Sequence, residues 1–329
     1  MRRHLVALAL ATAAVVSSDA RADVNDLVLS RLARRVEQGG MVTAVIPQSR
    51  DLRALASQLG VVLAPHLLTP ADTLGFGGVQ FSVDLSTTQV DRDAAYWRAA
   101  EGSPDPDGTG GGKHTAGYLS TIGFFARKGM WFPAPAMELG GGAVHLKDSN
   151  MWAGQLYAKL ALQEGYHDYP LPSLALRGAV SRLMTQRELD LTVISLDASL
   201  SKHIGILGTW NLNPYAGWNT LLIIPRSEVI DPTPEIDPLE PGMPNDRALN
   251  FVFKDQDPIL RHRVFLGAKA QFGAVMITVE GQLALAGTSV DDRGGTSAKC
   301  EAVSQTEQCD AQDSAAKQQS LTISAGLEF

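Results

Sequence analysis

Hydrophobic and polar residues alternate along much of this chain. From Arg263 to Phe272, one set is Val264, Leu266, Ala268, Ala270 and Phe272, and the other is Arg263, Phe265, Gly267, Lys269 and Gln271. The next stretch repeats the pattern: Val275, Ile277, Val279, Leu283 and Leu285 alternate with Met276, Thr278, Glu280, Gln282 and Ala284. A period of two is the side-chain period of a β-strand. Gly273-Ala274 between the two runs reads as a tight reversal. One face of each strand is uniformly apolar, while the other mixes charge, amide, hydroxyl and glycine. That two-faced pattern suits a closed sheet with hydrocarbon outside and a polar lumen inside.

The alternation continues upstream. Leu156, Ala158, Leu160 and Leu162 alternate with Gln155, Tyr157, Lys159 and Gln163; Leu174, Leu176, Gly178 and Val180 alternate with Ala175, Arg177, Ala179 and Ser181. Ile194, Leu196, Ala198 and Leu200 alternate with Ser195, Asp197, Ser199 and Ser201, but just before them the apolar set is Leu189, Leu191 and Val193. A bulge is the expected cause of that flip. The Gly-rich or uniformly apolar segments around Thr121 and Gly140 do not assign a face. The pattern predicts strands near 79–90, 117–127, 136–146, 151–163, 173–183, 189–201, 206–224, 261–272, 274–286 and 319–329.

The last of these carries the most specific signal. Leu321, Ile323, Ala325, Leu327 and Phe329 share one face, Thr322, Ser324, Gly326 and Glu328 the other, and the chain stops at the aromatic ring. A half-apolar strand ending in Phe329 resembles the assembly signal of Gram-negative outer-membrane β-barrels. The resemblance to such barrels covers about residues 79–329 and implies a periplasmic C-terminus. On that orientation the loop 287–317, the Pro- and acid-rich stretch 226–246 and the Gly/Asp-rich stretch 101–114 fall together on the extracellular side, and Gly273-Ala274 is a periplasmic turn. Long loops outside and short turns inside are the rule for these barrels. The expected fold class is therefore all-β: a transmembrane antiparallel barrel of about 10–12 strands, up to about 14 if early strands split, with a short N-terminal helical segment. An even count returns both termini to the periplasm. A secreted β-sandwich is the rival, since half-buried strands also alternate.

The start of the chain supports export. Arg2 and Arg3 precede a short apolar run, Leu5 to Val16, and Ala20-Arg21-Ala22 fits a cleavage site. Residues 1–22 read as a signal peptide, 23–78 as an N-terminal helical plug or periplasmic segment, and 79–329 as the outer-membrane barrel. Asn25 to Glu37 reads as a short helix capped by Asn25 or Asp26. Ser49 to Leu59 reads as a second helix capped by Ser49, with Leu52, Leu55 and Leu59 on one face and Arg50, Arg53 and Gln58 polar. An N-terminal helical segment ahead of a barrel looks like the long-chain fatty-acid transporter family, in which a hatch sits inside the barrel. That resemblance is architectural, and it implies passive uptake of hydrophobic small molecules.

Composition narrows the functions. The formal net charge is −7, and loss of the leader removes three positive charges and one negative, leaving about −9. An acidic chain without basic clusters argues against nucleic acid. Cys300 and Cys309 are the only cysteines, and in an exported chain they read as one local disulfide. A zinc pair is the rival reading, without further Cys or His nearby. The acidic loop Glu228 to Asp246 lacks the D-x-D-x-D-G spacing of a calcium loop and reads as a solvated surface. No metal or cofactor is expected.

Lys159, Arg177, Asp197, Arg263, Lys269 and Glu280 fall on the polar faces and are the lumen-lining candidates. They read either as a charge-selective constriction or as ion pairs filling a narrow interior. Gly178, Gly267, Gly281 and Gly326 relieve strain in a curved sheet or admit a plug or ligand to the wall. Trp131, Phe132, Trp152, Tyr166, Tyr169, Trp210 and Trp218 suit interfacial girdles. His114 and His262 fall near the extracellular rim, where Ser289 or Ser297 is a candidate neighbour, but no G-x-S-x-G motif is present and no enzyme is expected. The expected role is passive transport of a small solute, hydrophobic if the family resemblance holds. The alternative is a non-transporting structural, receptor or adhesion barrel. The expected partners are outer-membrane lipid and lipopolysaccharide, the barrel assembly machinery and a small-molecule solute.

Overall fold

The structure, a computed structural model, describes residues 23–38, 41–66, 68–102, 114–132, 136–165, 171–206, 209–232, 249–253, 255–291 and 311–329. The expected signal peptide 1–22, Cys300, Cys309, Ser297, Tyr166, Tyr169 and most of the acidic loop lie outside these residues.

Ten long strands form the wall. They are β3 (Val79–Gln89), β4 (Tyr118–Met130), β5 (Met137–Leu146), β6 (Trp152–Gln163), β7 (Ser173–Leu183), β8 (Leu189–Ser201), β10 (Trp210–Ser227), β11 (Ile259–Phe272), β12 (Val275–Ala284) and β15 (Gln318–Glu328). Each pairs antiparallel with its neighbours in sequence, and β15 closes the ring on β3 from Ser320↔Thr88 to Glu328↔Gln80. Closure leaves no free sheet edge in the wall. The short β9 (Ile204–Ile206) extends the pairing at the start of β10. Two small ladders lie off the wall: β1 (Ala33–Gln38) with β2 (Met41–Pro47), and β13 (Val290–Asp291) with β14 (Ala311–Gln312).

The wall is inside-out relative to a soluble protein. Leu196 is 64% exposed and Leu266 68%, whereas Asp197 and Arg263 on the same strands are buried. Leu321, Ile323 and Leu327 are exposed and Thr322 and Ser324 buried, as the alternation requires. Apolar side chains on the outer face and polar ones within is the arrangement that a bilayer solvates. It argues against the sandwich, whose apolar faces would meet in a dry core.

The three long connections, 90–117, 228–258 and 285–317, lie at one mouth together with the short turns 147–151 and 184–188. The connections 131–136, 164–172, 202–209 and 273–274 lie at the other, beside Phe329. Two expectations about the N-terminal region are corrected. Asn25 to Glu37 is not a helix: Leu29–Leu32 makes a 3-10 turn and Ala33–Gln38 is strand β1. Pairing with the β-branched run of β2 outweighs the weak helical pattern. The two ends of the described chain also part company. Asp23 and Asn25 lie against the 147–151 turn at the long-loop mouth, and Phe329 pairs with Val79 at the opposite one. An even strand count would return both ends to one side, but the N-terminal segment crosses back through the ring.

The expected bulge before Ile194 is absent: β8 keeps one register against both β7 and β10. Leu189, Leu191 and Val193 stay on the inner face, where they meet apolar contents instead of polar ones. A register shift does occur elsewhere, between Ala161 and Gln163 on β6.

Candidate functional site

The lumen holds residues of the N-terminal segment in two layers. In the outer layer, at the long-loop mouth, lies a helix, Ser49–Val62. Leu52, Leu55, Leu59 and Val62 join one hydrophobic cluster with Leu189, Leu191, Val193, Leu221, Ile223 and Ile259 of the wall. The fit is close. A Cβ on Gly60 would lie 2.6 Å from Ile223 Cδ1, so the helix lies against the wall only because residue 60 has no side chain.

The expected polar face of this helix does not meet solvent. Arg53 and Gln58 are both 0% exposed. Arg53 donates to the Asp257 carbonyl (2.8 Å) and to Ser289 Oγ (3.0 Å). Ser57 donates to Asp313 (2.7 Å) and accepts from Arg261 Nη1 (2.7 Å). Gln58 donates to the Tyr96 hydroxyl (2.7 Å) and accepts from Trp97 Nε1 (2.5 Å). Each of these buried side chains thus has partners among the loops that cover the mouth, as desolvated groups require. The expected Ser49 cap is replaced by Gln48 at the N-cap position, without a side-chain cap bond. Burial pushes the Tyr96 hydroxyl and the Asp313 and Glu188 carboxyls above their usual values, although Gln58, Ser57 and the Leu29 N–H respectively work against it.

In the inner layer the described residues between Leu63 and Leu74 form neither helix nor strand. Backbone without a helix or a ladder must find partners elsewhere, and here the wall supplies them. The Leu63 carbonyl accepts from Gln155 (3.2 Å) and Ser181 (2.7 Å), Pro65 from Arg263 (3.3 Å), His66 from Arg177 (3.1 Å) and Leu68 from Arg127 (3.3 Å). The Leu68 N–H donates to Glu280 (2.9 Å), Ala71 to Ser201 (3.0 Å), Thr73 to Glu164 (3.0 Å) and Leu74 to Glu138 (3.2 Å). Lys159 reaches the carbonyls of Pro70 (3.2 Å) and Asp72 (2.7 Å). Gly75 and Gly77, at φ +69° and +89°, then turn the chain out of the lumen and up into β3.

All six lumen candidates lie buried in this layer. Lys159 pairs with Glu138 (3.2 Å) and Arg177 with Asp197 (3.0 Å). Arg263 donates to Asn219 (2.8 Å) and Gln282 (3.0 Å), Lys269 pairs with Glu328, and Glu280 accepts from the Tyr215 hydroxyl (2.8 Å). The arrangement is a filled interior of paired charges. Sequence reasoning missed Arg127, Glu138, Tyr157 and Tyr215. Glu138 is central, since it also accepts from Tyr157 (2.6 Å). A polar cavity of about 90 Å³ remains beside Thr69, Arg127 and Asn213 at the C-terminal mouth. It is polar and roomy enough to hold ordered water.

Of the four in-strand glycines, Gly267 lies under the Tyr215 ring, with its missing Cβ 2.5 Å from Cζ. At the C-terminal mouth exposed Phe76, Trp131 and Phe132 make edge contacts and Trp210 packs on Phe272. Trp152, stacked on His145, lies toward the other mouth. Neither rim histidine is bonded to Ser289, and Ser297 lies outside the described residues. Ser289 is bonded to Arg53, His262 lies by Trp218 and Thr220, and His114 is held by Glu101.

A closed ten-stranded antiparallel sheet with an apolar exterior and a polar, charge-paired interior defines the class: an outer-membrane β-barrel. No family model matches the chain, and no curated protein matches it. Among solved structures it is similar to Ail, the attachment invasion locus protein of Yersinia pestis, at 9% identity and a TM-score of 0.26 over 77% of this chain and 99% of that one. A likeness at that score carries no argument about this protein's role.

Proposed function

We propose that this protein is a closed barrel that works at its long-loop mouth, as a receptor, adhesion or scaffold barrel, with residues 49–74 as a resident plug. The single observation behind this reading is the segment between Leu63 and Leu74, whose backbone is hydrogen-bonded to side chains of seven wall strands, β4 to β8, β11 and β12. Passive transport requires that all of these partners separate. A hydrophobic solute of the kind the fatty-acid transporter resemblance implies would also have to cross a layer of paired charges, which favours neither its entry nor their exposure. The ten strands also fall short of the fourteen of that family. In the proposed orientation the long loops and the N-terminal cap face the cell exterior.

Planar-bilayer recording with the full-length protein tests this. The expected result is no stepwise conductance above the lipid baseline. Steady unitary steps, or swelling of proteoliposomes in small sugars, would show an open path and return the transport reading.

A further inference from the structure

At the long-loop mouth, outside the lumen, one pocket is built unlike the loops around it. Its volume is about 410 Å³ and its lining includes Asn25, His114, Tyr118, Ser120, Lys147 and Asp148. Glu101 forms its buried support. This carboxylate is 1% exposed, accepts from His114 Nδ1 at 2.5 Å and from the Thr115 N–H at 2.8 Å, and so fixes the ring. With Nδ1 engaged, Nε2 is the ring nitrogen left for a ligand. Asn25 is 8% exposed, and its Nδ2 donates to the Lys147 carbonyl at 2.8 Å, yet its Oδ1 is buried with no partner. A buried acceptor without a donor costs desolvation energy, and Asn25 borders the pocket.

We infer that this pocket binds a saccharide. The inference rests on the proposed outward-facing mouth. Groups of both kinds line it: the Asp148 carboxylate as acceptor, the Ser120 hydroxyl as donor or acceptor, the fixed His114 ring, and Lys147 as the cationic donor. Such a set suits a ligand rich in hydroxyl groups, which both donate and accept. Tyr118 adds an aromatic surface that is 59% exposed, the kind of surface on which the C–H face of a sugar ring packs. Tyr118 and Ser120 begin β4, so the pocket sits at the rim of the lipid-facing wall. That is the depth of a membrane headgroup, and the saccharide is therefore either the headgroup of a neighbouring glycolipid or a free oligosaccharide from outside.

The test uses the full-length protein in nanodiscs and calorimetric titration with a lipid-free lipopolysaccharide core oligosaccharide. Nanodiscs with and without lipopolysaccharide form the second arm. Saturable binding of the free oligosaccharide, weakened at least tenfold in Tyr118→Ala and in His114→Ala, is the expected result. Tyr118 is exposed, so its variant keeps the fold even if the histidine variant does not. If lipopolysaccharide in the disc blocks that binding, the headgroup is the source; if it does not, the free saccharide is. Absence of binding at millimolar oligosaccharide in lipopolysaccharide-free discs, or binding indifferent to both variants, overturns the site. Either failure leaves the conductance result untouched, so the closed-barrel reading stands or falls separately.

Discussion

The two layers inside this barrel are held by different physics. Near the long-loop mouth the contents are a helix, and the wall meets it with Leu189, Leu191, Val193, Leu221 and Ile223. Toward the other mouth the contents are a segment without helix or ladder, and the same wall meets it with Arg127, Glu138, Lys159, Arg177 and Glu280. A helix satisfies its own backbone and needs only apolar packing around it. An irregular segment brings bare carbonyls and N–H groups, so the wall around it must be polar. The character of the wall thus follows the secondary structure of what it encloses, and one strand changes character along its length without changing register.

Breaking the inner layer should have the largest effect. Glu138→Leu leaves Lys159 buried without its counter-charge, and removing one partner of a buried pair costs about 3–5 kcal/mol. Urea unfolding, followed by the gel mobility of unheated samples, should show that loss. Glu138→Leu combined with Lys159→Met should recover most of it, and a double variant as unstable as the single would mean that the charges are not the source. Breaking the outer layer is next. Leu59→Ala empties part of the helix contact at about 2–5 kcal/mol, and hydrogen exchange should quicken in the mouth while the amides of Leu68 to Leu74 stay protected. Uniform loss of protection in both layers would show that they unfold as one unit.

The smallest effect concerns pH at the mouth. Burial raises the Asp313 carboxyl above its ordinary 3.8. The folded state therefore holds that proton more tightly than the unfolded chain does. Stability should rise as pH falls through the folded value, with the gain complete below 3.8. Asp313→Asn should flatten this part of the profile, read as the unfolding midpoint between neutral and mildly acidic pH.

The wall was readable from sequence because hydrocarbon constrains one residue in two. Alternation leaves no room for error when Val264, Leu266 and Ala268 must all face lipid. The predicted strand 173–183 coincides with β7, and 189–201 with β8. The inner face carries no such rule. Leu189, Leu191 and Val193 broke the polar pattern because they touch a helix that lies far earlier in the chain, and no local signal reports that contact. The face of Glu138 was hidden by the glycines that follow it, and Arg53 and Gln58 looked like solvent-facing residues because a helix periodicity does not reveal loops folded over its polar side. The Tyr118 pocket was beyond reach for a similar reason, since Asn25, Glu101 and Lys147 come from three separate connections.

The crossing of the lumen by Leu63–Leu74 has a consequence for how the molecule is made. Asp23 is on one side of the ring, Val79 starts the wall on the other, and the last bond of the ring is the seam between β15 and β3. The polypeptide is a thread through a loop of its own making. A folded cap at one end and the barrel's first strand at the other act as stoppers, so the thread must be lying in place before seam closure and cap folding are both complete. Once they are, only reopening that seam or unfolding the cap releases it.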